Sequence, residues 1–174
     1  MTALRPPARR APGGRVDVVL ALGSNVGDKA GALRGALAAL GDEPGIALGA
    51  VSRFYRTPPW GKTDQDWFVN ACALARTDLT PEALLDRVKA IETALGRTPT
   101  ERWGPRVIDI DLIAYGDVTL ETERLRLPHP ELFNRAFVLV PLAEIAPERM
   151  IACRRVGEAT AGLGAEAEAI VPLD

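Results

Sequence analysis

Valine and leucine crowd residues 16–22 (VDVVLAL) ahead of the polar, glycine-bearing stretch GSNVGD, which predicts a buried strand followed by a loop. From Asp28 to Leu40 the leucines at 33, 37 and 40 recur at helical spacing, and Gly41 follows as a stop signal. Residues 46–56 carry β-forming side chains and end at TPPW, where two prolines rule out a continuing central strand. WFVNACALA (67–75) predicts the next strand. Thr80 then supplies an N-cap with Pro81 at the first helical position. Leu84, Val88, Ile91 and Leu95 form one apolar stripe, and Gly96 closes that helix. VIDIDLIAY (107–115) predicts the last long strand.

The resulting order is β-α-β-β-α-β with a hairpin-like pair in the middle. It fits an α+β, ferredoxin-like sandwich: an antiparallel sheet with both helices on one face. Beyond about residue 117 the pattern is irregular, and LPHPELFNRAFVLVPLAEIAP (127–147) predicts short helices around Pro141. Gly162 and Gly164 interrupt a weak C-terminal helix rich in alanine and glutamate. With no repeat and no second linker, residues 16–174 read as one domain. The leading MTALRPPARRAPGGR (1–15) lacks the apolar core of a signal peptide and reads as a disordered extension.

Composition narrows the function without choosing it. A 47% hydrophobic chain of 174 residues sustains a core, and a net charge of −2 advertises neither nucleic acid nor a membrane surface. Arginine is unevenly placed, in groups at 97–106 and 124–135, which points to a specific anionic ligand. Cys72 and Cys153 lack CxxC spacing, and Cys72 within its apolar run reads as a small buried thiol. The single histidine, His129, excludes a histidine-rich metal centre, and no apolar run reaches the 18 residues of a membrane helix. The default reading is a soluble, cytoplasmic protein.

Candidate chemistry lies in RWGPRVIDIDLIAYG (102–116). Asp109 and Asp111 interrupt the apolar strand pattern on one face, roughly 6–7 Å apart. That spacing suits one or two hard cations such as Mg²⁺, with water and substrate phosphates completing the shell. An ordinary solvated strand face carries the same pattern, so the surroundings matter. Arg97, Arg102 and Arg106 precede the pair, and Arg124, His129 and Arg135 come after it. Carboxylates for metal plus planar forks for phosphate oxygens are the parts of phosphoryl transfer. Neither G-x-x-x-x-G-K-[ST] nor G-x-G-x-x-G is present, so side chains and metal would hold any nucleotide.

Five stretches taken in order, ALGSN (21–25), FYRTPPWG (54–61), FVNACAL (68–74), RWGPRVIDIDLIAYG and LPHPELFNRAFVLVPLAEIAP, resemble the 6-hydroxymethyl-7,8-dihydropterin pyrophosphokinase family of folate biosynthesis. The resemblance implies a ferredoxin-like fold and transfer of pyrophosphate from ATP to the pterin hydroxymethyl group, releasing AMP. It implies that Asp109 and Asp111 bind two Mg²⁺ ions and that Arg97 and Arg106 join them in catalysis. For the pterin it implies stacking by Phe68 and Phe137, edge recognition by Asn70, and backbone groups from the turn containing Thr57, Pro58 and Trp60. For ATP it implies Glu92, Arg97, Trp103, Arg106, Arg124, His129 and Arg135, with Trp103 in a closing loop. The stretch RTPTERW (97–103) is one residue shorter than in familiar members. The expected partners are therefore ATP and the pterin, and the expected state is a monomer.

Two other classes compete. A non-catalytic sensor would share the fold but leave the aspartates and arginines without work. A metal-dependent phosphohydrolase would use the same aspartates and release phosphate without a pterin acceptor. Asn70 with Phe68 and Phe137 favours an acceptor pocket, and so a transferase.

Overall fold

The computed structural model describes residues 14–100, 102 and 104–173. The expected extension 1–15 falls outside them, apart from the exposed Gly14 and Arg15. Strand β1 (Val16–Ser24) leads into helix α1 (Lys29–Asp42), then β2 (Ile46–Val51), β3 (Tyr55–Thr57) and β4 (Phe68–Thr77). Helix α2 (Pro81–Ala94) and strand β5 (Asp109–Tyr115) come next. β1 lies at the centre, antiparallel to β4 on one side and β5 on the other, while β2 and β3 both pair with the far side of β4. This is the predicted split βαβ arrangement.

Caps and stripes form as the sequence dictates. Asp28 Oδ1 accepts from Gly31 N at 2.9 Å, and Thr80 Oγ1 accepts from Ala83 N at 3.2 Å. Gly96 lies just past α2 with φ of +95°, a conformation that suits glycine. Val18, Leu20 and Leu22 of β1 pack with Leu33, Ala36 and Leu40 of α1 and Leu84, Val88 and Ile91 of α2. Their odd-numbered neighbours turn to the opposite face.

The chain beyond β5 covers that second face. After two short paired strands, β6 (Leu120–Glu121) and β7 (Arg126–Leu127), comes helix α3 (Ala136–Ile145). Val138, Leu139 and Leu142 of α3 meet Val19, Cys72, Ile113 and Ala114. Successive residues Ile113 and Ala114 share this cluster because the β1–β5 register shifts beside them, at Val19/Leu20. The Tyr55 hydroxyl donates to Glu144 Oε2, and Arg53 N donates to Glu144 Oε1 at 3.1 Å, anchoring α3 to the sheet edge.

Four expectations need correction. Residues 46–56 are two strands, because Ser52 breaks the ladder: its Oγ accepts from Cys72 N at 3.0 Å, in place of a backbone carbonyl. Helix α1 runs through Gly41 to Asp42, where a single glycine costs less than the contacts α1 already makes. β4 starts one residue and ends two residues later than predicted, at Phe68–Thr77, and β5 starts two residues later but ends at Tyr115 as predicted. Pro141 divides nothing; it lies inside the continuous α3, where the burial of Val138, Leu139 and Leu142 outweighs one missing backbone bond. The predicted interruption at Gly162 and Gly164 does appear, between α4 (Val156–Ala161) and α5 (Ala165–Glu168). Cys72 is a free, buried thiol.

Candidate active site

The face of the sheet beneath the start of α3 opens into a cleft. Its floor is a row across three strands. Asn70 of β4, Gly23 of β1 and Asp109 of β5 are register partners, and one step along lie Cys72, Ala21 and Asp111. Gly23 and Ala21 keep the middle of the floor low. A Cβ on Gly23 would lie 2.5 Å from Asn70 Oδ1, closer than such atoms approach, so the amide occupies space only glycine leaves.

One end of the cleft is aromatic and amide-bearing. Thr57, Pro58, Trp60, Phe68, Asn70 and Phe137 all line it. Asn70 Nδ2 donates to Thr57 Oγ1 at 2.7 Å, which fixes the amide of this buried residue. Trp60 and Phe137 meet edge to face, with ring centroids 6.4 Å apart. The Arg135 guanidinium lies 4.8 Å from the Trp60 ring centre and 5.6 Å from that of Phe137.

The other end is ionic. Asp109 Oδ1 accepts from Arg97 Nη1 at 2.5 Å, and Oδ2 accepts from Arg106 Nη1 at 2.6 Å. Burial pushes the Asp109 carboxyl up, but Arg106 and Arg97 outweigh it and hold the group below the ordinary aspartate value. Asp111 has no such grip, with Arg135 Nη1 3.7 Å away. Burial, reinforced by the negative charge of Asp109, raises its carboxyl to about 7. Two carboxylates on one strand face, with one short of countercharge, form a donor set that fits a hard cation. Among the described residues no third acidic, histidine or cysteine side chain joins them.

Glu92, expected at the nucleotide, is 2% exposed, and its Oε1 accepts from Ile110 N at 2.6 Å and pairs with Arg97 Nη1 at 3.1 Å. Its carboxylate therefore braces β5 and Arg97 from behind instead of facing the cleft. Burial raises its carboxyl above the usual range. Arg124, also expected at the nucleotide, forms a 2.5 Å pair with Asp86 on the exposed surface. Trp103 lies outside the described residues.

His129 is held beside β5, its N–H donating to Ile113 O at 2.8 Å. Its Nδ1 accepts from Glu131 N at 3.1 Å, which leaves the ring proton on Nε2 as a donor. Burial, then the Arg135 charge, lowers its pKa to about 4. The folded chain thus resists a proton that the unfolded chain accepts, so stability falls as pH drops from about 6.5 to about 4. His129→Asn keeps an acceptor for Glu131 N and is expected to lose about 2 kcal/mol less than the unaltered protein between pH 7.5 and 4.5. Urea midpoints at the two pH values measure this; equal acid losses would refute the assignment.

Similarity to known proteins decides between the candidate classes. Residues 19–147 match the model of the 7,8-dihydro-6-hydroxymethylpterin-pyrophosphokinase family. The chain belongs to this pyrophosphokinase family. It is 57% identical over 144 residues to the 2-amino-4-hydroxy-6-hydroxymethyldihydropteridine pyrophosphokinase of Methylorubrum extorquens, covering 83% of this chain and 91% of that one. It is 43% identical to the Bacillus subtilis protein of the same name, covering 74% and 77%. Among solved structures, the wild-type Plasmodium falciparum HPPK-DHPS with pteroate superposes with a TM-score of 0.70 at 15% identity. That match covers 88% of this chain but 43% of the other, so the chain spans under half of that protein, and the likeness concerns the fold.

This pyrophosphokinase acts in folate biosynthesis on hydroxymethyldihydropterin, with ATP as the co-substrate, which sets aside the sensor and the hydrolase. Sequence reasoning assigned no role to three residues of its cleft and approaches: Ala21, Gly23 and Asn25. A glycine inside an otherwise apolar strand was the available signal for the second. Among the described residues no helix is long and apolar enough to cross a membrane.

Proposed function

We propose that the aromatic end of the cleft holds the pterin between Phe68 and Phe137, with Asn70 and the turn at Thr57, Pro58 and Trp60 on its edge. The ionic end holds the ATP triphosphate above Asp109 and Asp111. The observation that supports this most is the Asn70–Gly23–Asp109 row. Adjacent strands lie about 4.8 Å apart, so the two functional side chains start about 10 Å apart, close to the length of a bicyclic pterin with its hydroxymethyl arm. A pterin read at one end by Asn70 thus presents its hydroxyl beside the carboxylates.

Asp109 and Asp111 would hold two Mg²⁺ ions, which when bound supply charge neutralisation and polarisation of the phosphate oxygens. The chain's own part is orientation and charge. Arg97 and Arg106 exchange Asp109 for phosphate oxygens as the nucleotide enters, and Arg135 adds a third guanidinium next to the pterin ring. The His129 Nε2–H donates to a nucleotide oxygen. Arg124 leaves Asp86, an exposed and solvent-screened partner, to reach the nucleotide. Trp103 belongs to the segment that closes over the substrates and excludes water. The pterin hydroxyl then attacks the β-phosphorus in line, and AMP departs; positioning and electrostatics lower the barrier, and no side chain is assigned as general base. We assign the activity to a single domain, residues 16–174, working as a cytoplasmic monomer.

Incubation with ATP, Mg²⁺ and 6-hydroxymethyl-7,8-dihydropterin tests this reading. AMP and pterin pyrophosphate should form together, and only when the pterin is present. ADP or free phosphate would point to a hydrolase, and tight binding without turnover to a sensor.

A further inference from the structure

Asn25 comes directly after β1 and is 3% exposed, although it lies outside the cleft itself. Its amide Nδ2 donates to Gln65 Oε1 at 3.0 Å and to Asp66 O at 3.3 Å. Its Oδ1 accepts from Arg106 N at 2.8 Å, and its own backbone N donates to Arg106 O at 3.1 Å. One side chain therefore uses both ends of its amide, each on a different loop. The Arg106 peptide is gripped on both sides, as in a single extra β-bridge.

The two loops serve opposite ends of the cleft. The one between β3 and β4 carries Pro58 and Trp60 and runs on into Phe68 and Asn70. It is closed on itself by Gln65 Nε2, which donates to Lys62 O at 2.8 Å. Lys29 pins it a second time, with Nζ 2.7 Å from Asp66 Oδ2 and 3.5 Å from the Trp67 ring centre. The other loop delivers Arg106 to Asp109. A displacement of Arg106 toward an incoming nucleotide pulls on Asn25 Oδ1, and through Nδ2 on the loop that forms the pterin wall. A buried amide resists leaving either end unsatisfied, so the two loops move together or not at all.

We infer that Asn25 is a positioning residue that couples the two substrate subsites, so that nucleotide at the ionic end sets the pterin affinity at the aromatic end. This deepens the pyrophosphokinase reading and rests on it. Coupling is a ratio of affinities and is reciprocal, so it separates this role from a merely structural one. A structural clasp would change thermal stability, or weaken both ligands, and leave the ratio alone.

The test is calorimetric titration of the pterin with and without a non-hydrolysable ATP analogue and Mg²⁺, on the unaltered full-length protein, Asn25→Ala and Gln65→Ala. In the unaltered protein the analogue should tighten the pterin by about tenfold or more. In Asn25→Ala the enhancement should fall to about twofold. Gln65→Ala removes the shorter of the two pterin-side bonds and leaves Asp66 O and the Arg106 clamp in place, so it remains informative if Asn25→Ala fails to fold. It should lose part of the enhancement, and the double variant should lose no more than Asn25→Ala alone. An enhancement equal in Gln65→Ala and the unaltered protein overturns the inference alone. Failure of the unaltered protein to bind either ligand overturns it together with the reading beneath it.

Discussion

Asp109→Asn will lower pterin-dependent AMP formation by about 10³-fold, the equivalent of about 4 kcal/mol of transition-state stabilisation. The substitution keeps the shape of the side chain and an oxygen for Arg97, but removes the charge that Arg97 and Arg106 now share. That geometry has two consequences. The hard-cation donor set falls from two carboxylates to one, so metal is held less well at the triphosphate. The two guanidiniums also lose the anion that parks them at the cleft, so their positions blur before substrate arrives. Both effects act on the reacting phosphates, so turnover at saturating substrate should fall more than pterin affinity changes. Quenched-flow measurement of AMP at saturating ATP and pterin checks this, alongside pterin binding by titration. A tenfold or smaller loss of turnover would remove Asp109 from the metal-binding role.

Gly23→Ala should strike the other end. Its new methyl would lie 2.5 Å from Asn70 Oδ1 and 3.9 Å from Phe68 Cδ1. Asn70 cannot yield freely, because its Nδ2 already donates to Thr57 Oγ1 and β4 holds its backbone. The amide must rotate away from the position in which it is proposed to meet the pterin edge. The loss of one well-made polar contact in a buried pocket costs about 1–3 kcal/mol, or about 10–10²-fold in pterin affinity. ATP-analogue affinity measured without pterin should stay within about twofold, since the ionic end is one strand away. Asn70→Ala should reproduce the pterin effect. An unchanged pterin affinity in Gly23→Ala would mean that Asn70 does not read the ring edge.

These two substitutions also mark where sequence reasoning succeeded and where it stopped. Asp109 and Asp111 were legible because they violate a local rule: two carboxylates on one face of a strand whose other positions are apolar. The strand order was legible because the Thr80 cap, the Leu84–Val88–Ile91 stripe and the flanking strands agree with one another. Gly23 needed register, which pairs residues 47 positions apart in the chain and leaves no local trace. The surroundings of Glu92 needed tertiary structure for a related reason: Ile110 N–H, on β5, donates to its carboxylate. Ser52 mimicked a strand residue by composition while its hydroxyl took over a ladder bond. Asn25 was visible as part of ALGSN, but its partners lie at Gln65, Asp66 and Arg106, on loops whose approach the sequence does not encode locally.

In the proposed reaction one strand face holds the metal on which transfer depends. Its most direct test is Mn²⁺ titration by electron paramagnetic resonance, with a non-hydrolysable ATP analogue present, for the unaltered protein and for Asp109→Asn combined with Asp111→Asn. Two tightly bound Mn²⁺ ions are expected per unaltered chain, and in the double variant no more than the analogue holds by itself in solution. Equal Mn²⁺ binding by the two proteins would contradict the claim.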